Sequence, residues 1–183
     1  DDLTAPRSGM RVVVYGGAAS RGGLFNDSLY SEAGGDARMY WSIRSDTVVA
    51  AHASIRYMPS THGVPFWTLS SIGGDTSDVG GGQPLRGYGA GRFYDRDAFS
   101  ASGEVRHVFW SFDAAATHVD LEIAPFVDVG QVFHHTSTFP IQSLHKVGGV
   151  GFRGIARPSV VGYVDVGYGD QGAAVFTGLN YPF

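Results

Sequence analysis

Cysteine is absent, which removes disulfides, thiolate metal ligands and thiol catalysis together. No run of about 18 apolar residues occurs, so no transmembrane helix is expected. Charge is scarce: Asp, Glu, Lys and Arg make up 16 % of the chain, against about 25 % in ordinary soluble domains. Basic excess is missing too. The 13 Lys+Arg stand against 17 Asp+Glu, a net charge of -4, so the basic face of a nucleic-acid binder is not expected. The start, Asp1-Asp2-Leu3, lacks a basic segment followed by an apolar one. No signal peptide is expected, and the chain reads as a mature form or a piece of something longer.

What is abundant is glycine, with 27 residues, and aromatics, at 13 %. The 183 residues suit one domain, 1–183. Few charges, many glycines and no apolar helix fit a β-protein that faces lipid. Such barrels hide their apolar residues in alternation, so the mean hydropathy stays near zero; here it is -0.03.

Residues 1–9 read as a polar lead-in turn with Pro6 and Gly9. Strands are expected at 10–18, 37–44, 48–58, 99–110, 119–133, 146–156, 160–168 and 173–183, with a brief extension at 64–71. The alternation puts Arg38, Arg44, Arg56, Glu104, Arg106, Glu122, Asp128, Arg153 and Asp165 on polar faces. Apolar residues such as Met39, Trp41, Ile55, Val105, Val127, Phe152 and Val164 take the opposite faces. In a soluble sandwich the charges would face water. In a membrane barrel they would line a wet interior and the apolar face would meet lipid. Two features favour the barrel. Connections alternate between long (19–36, 72–97, 134–145) and short (45–46, 157–159), and aromatics gather near strand ends (Phe109, Trp110, Phe133, Tyr168, Tyr181, Phe183).

The loop at 72–97 stands out. It holds Gly73, Gly74, Gly80, Gly81, Gly82, Gly87, Gly89 and Gly91, a density no helix or strand tolerates. It also carries Leu85, Arg86, Tyr88, Phe93 and Tyr94. Long loops with such a payload are usually packed and functional. The alternatives are a loop folded back so that Arg86 reaches a buried acid, and a mobile glycine-rich surface loop.

The terminal stretch Val175, Thr177, Leu179, Tyr181, Phe183 alternates on one face and ends on an aromatic residue. That ending resembles the assembly signal of outer-membrane barrels. With it stand Leu85-Arg86-Gly87-Tyr88, Gly91-Arg92-Phe93-Tyr94-Asp95, Glu104-Val105-Arg106, Phe126-Val127-Asp128-Val129-Gly130 and Gly149-Val150-Gly151-Phe152-Arg153, in that order. Together they resemble the bacterial surface antigen family of outer-membrane barrels, the BamA/TamA-like proteins, over nearly the whole chain. The resemblance implies that the loop folds into the lumen. There Arg86, Gly87 and Tyr88 would form a latch with Asp128, Glu104 and Arg106. It implies an assembly signal at Leu179, Tyr181 and Phe183. It also implies a bacterial outer-membrane location, lipid as the surrounding partner, and the barrel-assembly machinery as partner of the last strand. A non-enzymatic role in inserting or translocating client polypeptides follows. The alternative is a membrane-anchor or pore domain of a larger protein.

Family barrels usually have sixteen strands, and this chain matches only the last eight. The fold class is therefore all-β, an antiparallel transmembrane barrel whose eight strands close alone, pair in a homodimer or form half of a longer chain's barrel. Closing alone has an objection: the interior of eight strands is filled by its own side chains. An open sheet left in lipid has a worse one, since its edges would leave backbone groups unpaired.

No enzyme chemistry is expected, no cofactor and no metal. His52, His62, His107, His118, His134, His135 and His145 lack ligand spacing. Gly87-x-Gly89-x-Gly91 lacks the lysine and helix of a phosphate loop. Gly73-Gly74 with Asp78 resembles a calcium-binding repeat, but it occurs once. No Gly-x-Ser-x-Gly elbow occurs.

Overall fold

The computed structural model of the chain describes residues 6–21, 28–60, 66–114, 117–134, 143–157, 160–181 and 183. Residues 1–5 of the lead-in, most of the 134–145 connection, and His62 and His135 lie outside the described residues.

Eight strands form one antiparallel sheet. They are β1 (Gly9–Arg21), β2 (Ser28–Arg44), β3 (Thr47–Ser60), β6 (Asp97–Ala114), β7 (Thr117–Phe133), β8 (His145–Ala156), β9 (Val160–Gly169) and β10 (Gly172–Leu179), in that spatial order. Two short strands, β4 (Ser70–Ile72) and β5 (Phe93–Asp95), pair inside the long loop. A single 3-10 turn, Phe66–Thr68, precedes β4. Each strand is a sequence neighbour of the next in the sheet, apart from the β4–β5 insertion between β3 and β6. Among the described residues no ladder joins β10 back to β1, so the sheet is open rather than a closed barrel.

The two faces invert the pattern of a water-soluble protein. The concave face buries Asp36, His52, Arg56, Glu104, Arg106, Glu122, Asp128, Arg153 and Asp165. The convex face exposes Met10, Val12, Val14, Trp41, Ile55, Val105, Phe109, Val127, Phe152, Val175 and Leu179. Such an exposed apolar surface is far larger than a soluble monomer shows, and it suits hydrocarbon.

The concave face is filled by the chain itself. The long loop touches β2 on one side, where Arg38 donates to the Ser77 hydroxyl at 3.2 Å, and β9 on the other, where the Tyr163 hydroxyl donates to Asp75. Its own backbone is ordered. Gly73 N donates to Gln83 O at 3.0 Å, and Leu85 N donates to Gly74 O at 2.9 Å. Ile72, Leu85, Tyr88, Ala98, Phe126 and Val147 form a small core between loop and wall.

The strands differ from the sequence expectation at three places. First, β1 runs to Arg21 and β2 starts at Ser28, so most of 19–36 is hairpin rather than loop. Gly34 explains why a glycine-rich segment pairs here. It lies opposite Tyr15, and a Cβ at Gly34 would come within 2.5 Å of the Tyr15 ring. The tyrosine covers the bare backbone and supplies the packing that glycine lacks. Second, 64–71 contains the 3-10 turn and β4 in place of one extension, with 61–65 outside the described residues. Third, β10 stops at Leu179. Asn180 has a φ of 72°, and its N–H donates back to Val161 O at 2.8 Å. A left-handed residue cannot continue a strand.

Candidate functional site

The long loop delivers Arg86 into the charged concave face. Its guanidinium is fully buried and meets three carboxylates from three strands. From β7, Asp128 accepts from Nε at 2.9 Å and from Nη2 at 2.8 Å. From β6, Glu104 accepts from Nη1 at 3.0 Å, and from β9, Asp165 accepts from Nη1 at 3.0 Å. The Arg86 backbone N–H also donates to Asp128, at 3.0 Å. The fork geometry of arginine makes this possible, since lysine has no planar pair of donors. One face of the guanidinium lies over the Phe126 ring, with Cζ 3.6 Å from its centroid. Burial opposes the Arg86 charge, but the Asp128 bonds and the charges of Asp128, Glu104 and Asp165 outweigh it and raise its pKa.

The strands prepare a seat for this loop. Gly167 of β9 lies under the Arg86 backbone, and a Cβ there would come within 2.7 Å of the Arg86 carbonyl carbon. Gly87 is pressed in the same way, with a Cβ 2.8 Å from Val147 and 2.9 Å from Gly169 N. Tyr88 follows. Its hydroxyl donates to Asp170 at 2.6 Å, and its ring meets Phe93 edge-on at 5.1 Å. Burial, and after it the Asp170 bond, pushes the Tyr88 phenol up to about 12.

Around Arg86 the charges interlock. Arg106 Nε donates to Glu104 at 2.5 Å, and Arg153 Nη2 donates to Glu104 at 3.0 Å. Arg153 also reaches Glu122 at 3.2 Å and lies 3.7 Å from Asp165. Three arginines thus meet four carboxylates, all buried. Desolvating so many charges is tolerable only because each has an opposite neighbour and hydrogen bonds.

The chain terminus enters the same cluster. Leu179 stays on the convex face at 72 % exposed, but Phe183 is buried at 4 %. The expected single face for Leu179, Tyr181 and Phe183 is therefore corrected: beyond Asn180 the tail turns inward. Tyr181 lies over Arg106, with Cζ 4.0 Å from its ring centroid, and its hydroxyl donates to Glu122 at 3.3 Å. Phe183 stacks on His52 at 5.2 Å, and its carbonyl accepts from Arg106 Nη2 at 3.2 Å.

The structure thus brings together Arg86, Gly87, Tyr88, Glu104, Arg106 and Asp128, with Tyr181 and Phe183, and leaves Leu179 apart. The site includes members that the expected latch left out: Asp165, Arg153, Phe126 and His52. Asp165 and Arg153 were visible as charges on polar strand faces. Phe126 opens the Phe126–Gly130 motif, but nothing in the sequence says that its ring lies against the Arg86 guanidinium.

Among the described residues no group of three or more His, Cys, Asp or Glu is placed to hold a metal ion. No described helix is long and apolar enough to cross a membrane, which leaves crossing by strands open. No curated protein and no solved structure matched the chain. A family model did: the Omp85 superfamily domain matches residues 1–162, a span that includes the loop and the acidic wall except Asp165. Proteins of this family are bacterial outer-membrane proteins concerned with polypeptide insertion and translocation, and this chain belongs to the Omp85 superfamily.

Proposed function

We propose that the chain is a non-enzymatic part of an outer-membrane β-barrel that inserts or translocates polypeptides. The observation that carries this reading is Arg86, held by Asp128, Glu104 and Asp165 behind a convex apolar face. That latch braces the wall from within, while the outer edges of the two end strands, β1 and β10, meet no further strand among the described residues. Such edges are incompatible with hydrocarbon. Further strands complete the barrel, from a longer chain or from a second copy in a homodimer. Edges that must be matched by another strand are also suited to templating one. Lipid surrounds the convex face, client polypeptides are the transient partners, and the assembly machinery receives the chain through its last strand. No step of this role calls for a cofactor.

The test uses the full chain in vesicles of phosphatidylethanolamine and phosphatidylglycerol. A urea-unfolded small outer-membrane barrel is added, and its folding is followed by its gel mobility without boiling. The chain is expected to speed that insertion, and Arg86→Ala is expected to abolish the gain. No acceleration over empty vesicles would overturn the proposal.

A further inference from the structure

Of the 13 Lys and Arg residues only Lys146 is a lysine. Arg38, Arg56, Arg86, Arg106 and Arg153 lie on the concave face and pair with acids there. Lys146 does not. It is the second residue of β8, between His145 and Val147. The His145 ring stacks on Phe93 of the loop at 4.0 Å, and Val147 is buried in the small core between loop and wall. Both neighbours point inward, so the period of two sends Lys146 outward, where it is exposed. Across the ladder it faces Val129 of β7. Two steps beyond the Gly148–Tyr168 pair, the register brings Asp170 level with it. The Asp170 oxygens are engaged elsewhere: one accepts from the Tyr88 hydroxyl at 2.6 Å, and the other lies 3.7 Å from His145 Nδ1. Among the described residues no carboxylate pairs with the Lys146 ammonium.

Next on the same face, roughly 7 Å further along the strand, comes Gly148, also exposed. A Cβ there would meet no atom within 4 Å, and its backbone is not left-handed. The register sets Val127 on one side of it and Tyr168 on the other, exposed at 61 % and 70 %. The outward row therefore has a gap between a valine and an aromatic ring, with the lysine just above it. Tyr168 is the diagonal neighbour of Lys146, within reach of a long side chain. This is the loop-bearing end of the sheet: β8 leaves it, and β7 ends there at Phe133, opposite Asp97, where the long loop rejoins the wall. Lys146 and Tyr168 thus stand near the rim, where aromatic girdles and lipid headgroups belong. A lysine on an apolar surface lays its stem along hydrocarbon and sends its ammonium to the headgroup level.

An unpaired cation above an apolar gap is complementary to a molecule with an anionic head and an acyl chain. We propose that this place binds one anionic phospholipid, whose phosphate accepts from the Lys146 ammonium and whose acyl chain lies over Gly148, between Val127 and Tyr168. A choline or ethanolamine head carries its own cation, which competes for the phosphate and repels Lys146. A glycerol head carries none. The site rests on the reading that the convex face meets lipid.

The full chain is reconstituted in vesicles of equal parts phosphatidylglycerol and phosphatidylcholine with identical acyl chains. Flotation is checked, the protein is extracted in mild detergent, and retained lipid is weighed by native mass spectrometry. One phosphatidylglycerol per chain is expected, favoured about fivefold over phosphatidylcholine. Lys146→Gln is expected to float but lose the preference, and Lys146→Arg to keep it. Gly148→Leu, which fills the gap, is expected to retain less of both lipids. Arg92→Gln removes an exposed cation that the loop holds against Gln171 at 3.0 Å, and is expected to leave retention as it was. Failure to float overturns the lipid-facing reading and the proposal with it. Flotation with no retained lipid or with equal retention of the two lipids overturns the proposal alone. So does a result unchanged in Lys146→Gln or in Gly148→Leu, or an equal loss in Arg92→Gln.

Discussion

Arg86 ties a loop to three strands through one planar group. Removing it leaves Asp128, Glu104 and Asp165 buried without their shared cation. Breaking a buried pair from one side costs about 3–5 kcal/mol. Arg86→Ala should therefore lower the urea midpoint of the detergent-solubilised chain by that equivalent. Arg86→Lys keeps the charge but not the fork, and should fall between the wild type and Ala. Equal stability of all three would mean that the carboxylates are solvated by water instead. Tyr88 offers a pH test. Its folded pKa, about 12, lies above the ordinary value of 10.0, so the folded state holds the proton longer. Its contribution is complete below pH 10 and is lost as pH rises towards 12. Tyr88→Phe should flatten that alkaline loss in a melting series, and an unchanged slope would assign it to other groups.

At the scale of elements, β9 is built to receive the loop. Gly167 admits the Arg86 backbone, and Gly154 of β8 admits nothing. Gly167→Ala should destabilise the chain by about 1–3 kcal/mol, as overpacking does, while Gly154→Ala should be near neutral; thermal melts of the two compared side by side decide it. The same contrast shows how legible the structure was. Alternation placed Glu104, Asp128 and Asp165 on one face, because a period of two survives in any strand with a polar side. It did not place the start of β2, where Gly34 and Gly35 pair only because Tyr15 covers one of them. Nor did it foresee the break at Asn180. The pattern Val175, Thr177, Leu179, Tyr181, Phe183 continues unbroken in the sequence, while the backbone reverses at one left-handed residue. Periodicity records which residues alternate, and a single φ decides whether they still lie in the strand.

For the whole molecule the decisive quantity is how many strands enclose the lumen. The loop occupies the concave face, and β1 and β10 each have one edge unpaired among the described residues. Eight strands closed on themselves would have to expel that loop, since their interior is already filled by side chains. Native mass spectrometry of the micelle-stripped chain, whose mass is 19.5 kDa, should give twice that value if a second copy completes the ring. A mass of one chain would instead mean that the eight strands close alone, with the loop displaced from the lumen and the Arg86–Asp128 latch in need of revision.

The acids that hold Arg86 are far apart along the chain: 18 residues separate it from Glu104, 42 from Asp128 and 79 from Asp165. Contacts of such high sequence separation form late and slowly, because loop-closure entropy must be overcome before they are gained. The last of the three bonds cannot form until β9 has taken its place. Full neutralisation of this one guanidinium thus marks a nearly complete wall, so a chain stalled in folding would expose an unsatisfied arginine in place of a sealed interior.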